Sequence, residues 1–222
     1  MAGQDVVNPL GLVYTPQGSG TNVNARSDNF GNAGVNEVFG RYTELCRNGN
    51  LYLASSLNTS DAGIAGVVAL PTTTSGRLVY NAAPAGSNIY VIPLIVGVAI
   101  KSGTQGSGLS VIAGIPAGNL ATPLTASGSN MVCKNMLDGV TNDPTTFTDI
   151  NKTVVQTTYM HLSNGGAAVG IGSGFTFDVG GMWIIQPQKS FEVSVLAPTG
   201  TSPVFFVSVV YAKIKFDAGT PQ

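Results

Sequence analysis

Apolar and polar residues alternate most regularly near the end of the chain, between Met182 and Phe216. The run Phe191–Val195 places an apolar residue at every second position. A period of two gives a strand one apolar and one solvated face, so Glu192 and Ser194 are predicted to point to solvent. Residues 197–203 follow, with turn-forming Pro, Gly, Thr and Ser at almost every position. The pattern predicts two strands joined by a turn.

The second of these strands, Val204 to Phe216, contains neither Gly nor Pro. Its later part alternates, which predicts that Tyr211 and Lys213 share a polar face. Its beginning is different, because apolar residues there occupy both faces: Val204, Phe205, Phe206 and Val207. Strands have this composition when their outer face is also covered. We therefore predict an interface at these four residues, covered by a loop of the chain or by another subunit.

Shorter strand-like runs precede this stretch and are separated by turn residues. Asn48-Gly49-Asn50, between Tyr42–Cys46 and Leu51–Ala54, is typical of a β-hairpin turn. The most apolar run, Asn88–Ile100, predicts a central strand bent or bulged at Pro93 and Gly97. The polar, Gly-rich residues 101–108 predict an exposed turn after it.

The whole pattern indicates an all-β protein. Nine to eleven short strands with turn-punctuated spacing, and no helical period, predict a single jelly-roll or β-sandwich, or else a barrel. Residues 1–40 lack sustained periodicity and are predicted to form an extended N-terminal arm or surface loops. Residues 41–222 are predicted to form the single β-sandwich (jelly-roll-like) domain, a size that such folds commonly reach.

The low content of charged residues adds a prediction about assembly. Only 9% of the 222 residues are charged, against roughly 25% in an average soluble protein. Because a free monomer normally stays soluble through a charged surface, such a chain is expected to bury much of its surface in an assembly. The net charge of −1 and the scattered basic residues disfavour direct nucleic-acid or anionic-membrane binding.

Other sequence features narrow the cellular context. The longest apolar run is too short to span a bilayer, and no basic segment typical of a secretory signal opens the chain, so we expect a soluble protein made in the cytoplasm. Cys46 and Cys133 are the two cysteines. In a reducing compartment two buried thiols are favoured over a disulfide, although the sequence alone leaves both arrangements open.

Candidate catalytic or metal-binding residues are sparse. His161 is the single histidine, and no Gly-x-Ser-x-Gly elbow accompanies it, so a hydrolase triad is disfavoured. The Gly-rich runs lack the phosphate-binding Gly-x-x-x-x-Gly-Lys pattern. Asp138 and Asp143 lie in one polar loop, but their spacing misses the calcium-loop pattern and favours a turn. We predict no catalytic residues, no bound metal and no cofactor; the protein is not expected to be an enzyme.

A resemblance adds to this interpretation. The motifs Gly49–Ala54, Thr72–Asn81 and Pro84–Val91 follow one another closely, and Phe191–Val195 precedes a long final strand. This order resembles tailed-phage and metagenomic virion proteins of jelly-roll type that form head or capsid-surface components. Lys213 and Lys215 occupy the region where that group usually has an acidic ending. The resemblance implies a structural protein without an active site.

Two function classes are therefore predicted. The first is a bacteriophage structural protein in the virion, assembled in the host cytoplasm. It would be a capsid component or head decoration (cement) protein that self-associates, with a homotrimer favoured, and contacts other virion proteins through the arm and the final strand. The alternative is a receptor- or carbohydrate-binding β-sandwich of a fibre or spike, with a site in loops 101–108 and 138–149. Trp183 is a candidate sugar-binding aromatic, although its apolar neighbours favour a core position.

Overall fold

The computed structural model describes residues 12–13, 25–27, 33–35, 42–56, 63–69, 76–116, 124–125, 132–150, 157–165, 171, 173–197 and 199–216. The chain divides into two compact units, Met1–Glu44 and Leu45–Gln222. The described part of the first unit contains β1 (Leu12–Val13), β2 (Ala25–Ser27) and β3 (Ala33–Val35), paired antiparallel in that order. The rest of the predicted arm, residues 1–40, lies outside the described residues.

The second unit is built almost entirely of strands, and a short helix, α1 (Thr43–Arg47), stands at the boundary between the units. The strands are β4 (Leu51–Ser55), β5 (Ile64–Ala65), β6 (Arg77–Asn81), β7 (Ile89–Gln105), β8 (Leu109–Pro116), β9 (Val132–Asn135), β10 (Thr146–Ile150), β11 (Thr157–Gly165), β12 (Gly174–Asp178), β13 (Ser190–Leu196) and β14 (Gly200–Lys215).

These strands form two antiparallel sheets that pack face to face, which confirms the predicted β-sandwich. One sheet has five strands in the order β10-β6-β13-β8-β11. The other has six, in the order β12-β7-β14-β4-β9 with β5 also paired to β14. One hydrophobic core lies between them and takes residues from both, for example Val79, Val111 and Phe191 from the first sheet and Val96 and Phe205 from the second.

The strand pairing follows a regular scheme. β4 pairs with β14, β6 with β13, β7 with β12 and β8 with β11, and successive pairs alternate between the two sheets. A long hairpin folded across two sheets in this way has the strand order of a jelly roll. β9 and β10 lie between β8 and β11 in the chain and extend the two sheets beyond this framework.

The predicted solvated face of β13 is not solvated. Phe191, Val193 and Val195 do lie in the core, but Glu192 and Ser194 on the opposite face are only 2% and 1% exposed. Ser194 donates a hydrogen bond to Glu192 over 3.1 Å. A buried polar side chain is tolerated when it is hydrogen-bonded, so these two polar residues can lie on a covered face. Strand periodicity does not show whether a face is covered.

A second small cluster covers part of that outer face. Leu124 packs with Leu78 and Tyr80 of β6, and Phe147 of β10 joins them. These residues lie on the side of the five-stranded sheet that faces away from the main core. The five-stranded sheet is therefore buried on both of its faces along β6 and β13.

The predicted hairpin around Asn48-Gly49-Asn50 is wrong, because Thr43–Arg47 is helical. Gly49 N–H donates to the Cys46 carbonyl and Asn50 N–H to the Leu45 carbonyl, at 2.9 and 2.8 Å, and Gly49 has φ of 68°. Paired hydrogen bonds of this kind around a left-handed glycine form a Schellman motif at a helix C-terminus. Asn-Gly chemistry suits both a hairpin turn and this cap.

The central strand is longer than predicted. β7 continues through the expected bends to Gln105, and only residues 106–108 separate it from β8. The pairing with β14 shifts where Val210 faces Ile95 and Tyr211 faces Pro93, which places a bulge beside Pro93 as predicted. At Gly97 the pairing is regular. The polar residues of 101–105 are held in the sheet because Gly200 and Thr201 of β14 pair with them.

Candidate functional site

The exposed side of the six-stranded sheet is the first candidate site. On β14, Phe205, Val207 and Val209 are fully buried, so the residues between them point away from the core. The same alternation holds on β7. We call the central outward residues of these two strands the outer sheet face: Ile95, Gly97, Ala99, Val204, Phe206, Ser208 and Val210. All seven are half-buried and none is charged, and Lys101, the next outward residue of β7, stands at their rim.

A shallow open depression of about 300 Å³ lies on this face. Gly97, Ala99 and Ser208 line it together with Phe206, and Gly174 and Thr176 of β12 line its far side. Gly97 makes room for it, because a Cβ at this position would stand 2.5 Å from the Ser208 Oγ. Lys101 Nζ lies 5.1 Å from the centre of the Phe206 ring, a cation–π contact at the rim.

The four residues of the predicted interface do not form one surface. Phe205 and Val207 are fully buried in the main core. Val204 and Phe206 belong to the outer sheet face and are half-buried. Because successive strand residues point to opposite sides, only Val204 and Phe206 are placed to meet a partner, and their role as an interface remains a prediction.

A buried polar cluster at the β4–β14 end of the same sheet is the second candidate site. We call it the Asp143 cluster: Tyr52, Asp143, Tyr211 and Lys213. Tyr211 donates a hydrogen bond to Asp143 Oδ2 over 2.9 Å, and Lys213 Nζ forms an ion pair with Asp143 Oδ1. The side chain of Asp143 is completely buried, and that of Lys213 is 13% exposed.

Backbone pairing brings these side chains together. The Asp143 N–H donates to the Cys133 carbonyl over 2.9 Å, which holds the segment before β10 against β9. Tyr211 and Tyr52 face each other across the β14–β4 pairing, and their rings stack with centroids 5.5 Å apart. Lys213 Nζ lies 5.7 Å from the Tyr52 ring centre. The cluster therefore ties the β9–β10 connection to the final strand.

The surroundings of the cluster favour a protonated Tyr211. Burial is the main cause that raises the pKa of Tyr211 well above its usual value, and Cys133 and Asp143 add to it. Burial and the nearby Asp143 also raise the pKa of Tyr52. Tyr211 thus remains a hydrogen-bond donor to Asp143 throughout the ordinary pH range.

Sequence reasoning did not find this cluster and misplaced Tyr211. The alternation predicted Tyr211 on a polar face, but Tyr211 is fully buried and continues the core-facing series of Phe205, Val207 and Val209. The sequence did contain a signal for this position, because Tyr211 follows Phe205 at a multiple of two residues and such residues point to the same side of a strand. What allows a tyrosine there is a buried carboxylate for its hydroxyl, supplied from a distant loop.

The two aspartates of the polar loop do not converge. Asp138 turns back on its own loop and accepts hydrogen bonds from the N–H groups of Val140 and Thr141, both at 2.9 Å, and from the Thr141 hydroxyl. Thr141 is the main cause that lowers the pKa of the exposed Asp138 from 3.8 to about 2. Asp143 points into the cluster instead. The expected turn is confirmed, and within the described ranges no group of three metal-ligating side chains occurs.

His161 and Trp183 are separate from both sites. His161 is exposed on β11 opposite Ile112, beside a register shift between His161 and Ser163. Trp183 is half-buried, and its ring centroid lies 5.1 Å from that of Phe191, so it packs on the core as its neighbours suggested. Cys46 is half-buried, Cys133 is buried beside Tyr211 of the Asp143 cluster, and the two form no disulfide.

Comparison of the chain with known protein families, curated proteins and solved structures finds no match. No helix in the described part of the chain is long and apolar enough to cross a membrane.

Proposed function

We propose that this protein is a structural protein of a bacteriophage virion, a capsid component or head decoration (cement) protein that works through contacts between subunits. The observation that carries the proposal is the outer sheet face, a row of half-exposed, uncharged and mostly apolar residues on a chain with only 9% charged residues. A surface of this kind is suited to burial against another protein surface. The jelly-roll strand order agrees with the resemblance to virion proteins.

The proposed occupant of this face is a second copy of the chain, with a trimer favoured. Weakly polar surface contributes about 25 cal/mol per Å² of apolar area buried, before the costs of association. None of the seven residues of the face is charged, so the desolvation cost of charged groups is confined to Lys101 at its rim.

The size of the face indicates that it is one part of a larger interface. Seven residues of β14 span about 20 Å, and β7 and β14 with the flanking strands β12 and β4 are about 14 Å wide, which gives on the order of 300 Å² in projection. A stable interface uses about 800 Å² on each partner. The remaining contact area must come from other residues, and we assign it to the N-terminal segment 1–40 and to contacts with other virion proteins.

The test is the mass of the purified protein by light scattering, alone and then with empty capsids of its source virus. A stable oligomer that sediments with the capsids is the expected result. A monomer at all concentrations that does not bind capsids would contradict the proposal, and a glycan-binding screen would then test the receptor-binding alternative.

Matched variants locate the interface. Phe206→Asp introduces a charge on the outer sheet face and is expected to abolish self-association while the protein stays folded. Thr158→Asp places the same charge at an exposed position of β11 in the other sheet and is expected to leave the mass unchanged. Equal effects of the two substitutions would show that the outer sheet face is not the interface.

The receptor- or carbohydrate-binding alternative receives less support. The carboxylate of Asp138, a candidate polar group of the predicted loop site, is already bonded within its own loop. Trp183 packs on the core. Residues 101–105, expected in a binding loop, are part of β7.

A further inference from the structure

We propose that Lys213 and Asp143 react with each other to form an intramolecular amide (isopeptide) bond. The bond would join the final strand, β14, to the segment between β9 and β10. It is a covalent modification site within the Asp143 cluster, and it is independent of the proposed virion function.

The geometry holds the two reacting groups together. Lys213 Nζ contacts Asp143 Oδ1 directly, one covalent bond away from the carboxyl carbon Cγ. The carboxyl group is fixed from two other directions: Tyr211 donates to Oδ2 over 2.9 Å, and the Thr145 N–H donates to Oδ1 over 3.0 Å. A nucleophile and an electrophile held in contact by a rigid sheet react with a high effective concentration.

The pair is largely shielded from solvent. Asp143 has no exposed side-chain surface, and the aromatic rings of Tyr52 and Tyr211 stack beside the pair. The reaction starts from a neutral amine and a neutral carboxylic acid, which the ion pair gives when one proton moves from Lys213 Nζ to the Asp143 carboxylate.

The step balances without an oxidant, a metal or a cofactor. The Nζ lone pair attacks Cγ and forms the N–C bond. The Cγ–Oδ1 bond then breaks, and Oδ1 leaves as water with the carboxylic acid proton and one proton from the amine. The other oxygen, Oδ2, becomes the amide carbonyl oxygen.

Tyr211 is placed to stabilise the negative charge that develops on Asp143 during the reaction. Its hydroxyl donates to Oδ2, the oxygen on which negative charge grows when the amine attacks. Burial keeps this phenol protonated, so the donor is present at neutral pH. The product amide carries no charge, which removes the desolvation cost of a buried ion pair.

The test is the intact mass of the purified full-length protein, followed by peptide mapping. The expected mass is lower than that of the sequence by one water molecule. Trypsin is expected not to cleave after Lys213, and the digest should contain a branched peptide in which residues 135–152 are joined to residues 190–215. A protein with the full sequence mass and a tryptic peptide ending at Lys213 would overturn the proposal and leave the contact an ion pair.

Three variants separate the chemistry from folding. Lys213→Arg keeps the positive charge, but its guanidinium group is a poor nucleophile, so the full mass is expected. Asp143→Asn is expected to lose ammonia and give the same cross-linked product as the wild type. Tyr211→Phe should slow the appearance of the cross-linked form after synthesis. Water loss retained in Lys213→Arg would place the modification elsewhere and overturn the assignment.

Discussion

At the scale of single residues, neighbouring side chains of β14 occupy opposite environments. Phe205 is fully buried in the core, whereas Phe206 is half-exposed on the outer sheet face beside Lys101. The sequence shows two identical phenylalanines side by side. The structure separates a residue that stabilises the fold from one that is available for binding.

We therefore expect Phe205→Ala and Phe206→Ala to differ in stability. Removal of the buried ring leaves a cavity, and Phe205→Ala should lower the free energy of unfolding by about 3–5 kcal/mol. Phe206→Ala should lower it by about 1 kcal/mol or less, since the ring is half-exposed and mainly loses its contact with Lys101. Urea denaturation of monomeric protein at low concentration measures both, and similar losses would contradict the assigned orientations.

Asp138 gives a prediction for acid pH. Its pKa in the folded protein is lowered to about 2, so its ionised form stabilises the folded loop above its ordinary pKa of 3.8. This contribution is lost as the pH falls from about 4 towards 2. The effect is small because the carboxylate is exposed.

The matched variant is Asp138→Asn, which keeps one hydrogen-bond acceptor but does not ionise. We expect the wild type to have the higher Tm at pH 5, and the difference between the two proteins to disappear near pH 2. Thermal melting followed by circular dichroism measures both Tm values. A difference that stays constant over this range would show that the Asp138 charge does not support the loop.

At the scale of elements, the local sequence around Gly49 is compatible with two structures, and contacts with distant strands determine which one forms. Asn48-Gly49-Asn50 suits a hairpin turn, but it closes α1 through the two hydrogen bonds of a Schellman motif. The β4 strand that follows pairs with β14 and β9 rather than with residues before the turn. Pairing with distant strands therefore decided the local structure.

Gly49 is expected to be sensitive to substitution for backbone reasons alone. A Cβ at this position would meet only Asn135 Nδ2, at an ordinary 3.7 Å, but φ is 68°. Gly49→Ala should lower the free energy of unfolding by about 1 kcal/mol. Gly49→Asn should lower it less, because Asn tolerates the left-handed region. Denaturant unfolding of both variants tests this, and a larger loss for Asn would indicate a steric cause.

At the scale of the whole molecule, the two sheets differ on their outer sides. The five-stranded sheet is covered along β6 and β13, so that even Glu192 is buried. The six-stranded sheet has the half-exposed, uncharged outer sheet face. This asymmetry is why we assign subunit contacts to β7 and β14.

The asymmetry predicts that stability depends on protein concentration. A subunit interface couples folding to association, so Tm of the wild type should rise with concentration. For Phe206→Asp the Tm should be lower at high concentration and independent of dilution. Calorimetry over a hundredfold concentration range measures this, and a concentration-independent wild-type Tm would contradict burial of the face in an oligomer.

The sequence by itself determined the class of fold and the existence of the long final strand. Both follow from local patterns: turn residues at short intervals, the absence of a helical period, and thirteen residues without Gly or Pro from Val204 to Phe216. The bulge beside Pro93 belongs to the same group, because the missing N–H of proline is a property of the residue itself.

Only the tertiary structure decided which faces are covered and which polar groups meet. Glu192 and Tyr211 lie in patterns that predict exposure, yet both are buried. Glu192 accepts a hydrogen bond from Ser194 of its own strand, and the Tyr211 hydroxyl donates one to Asp143 of a distant segment. Asp143 and Lys213 are seventy residues apart in the chain, and backbone pairing brings them into contact. Periodicity describes the two sides of a strand, whereas burial depends on what packs against each side, and that is a property of the folded chain.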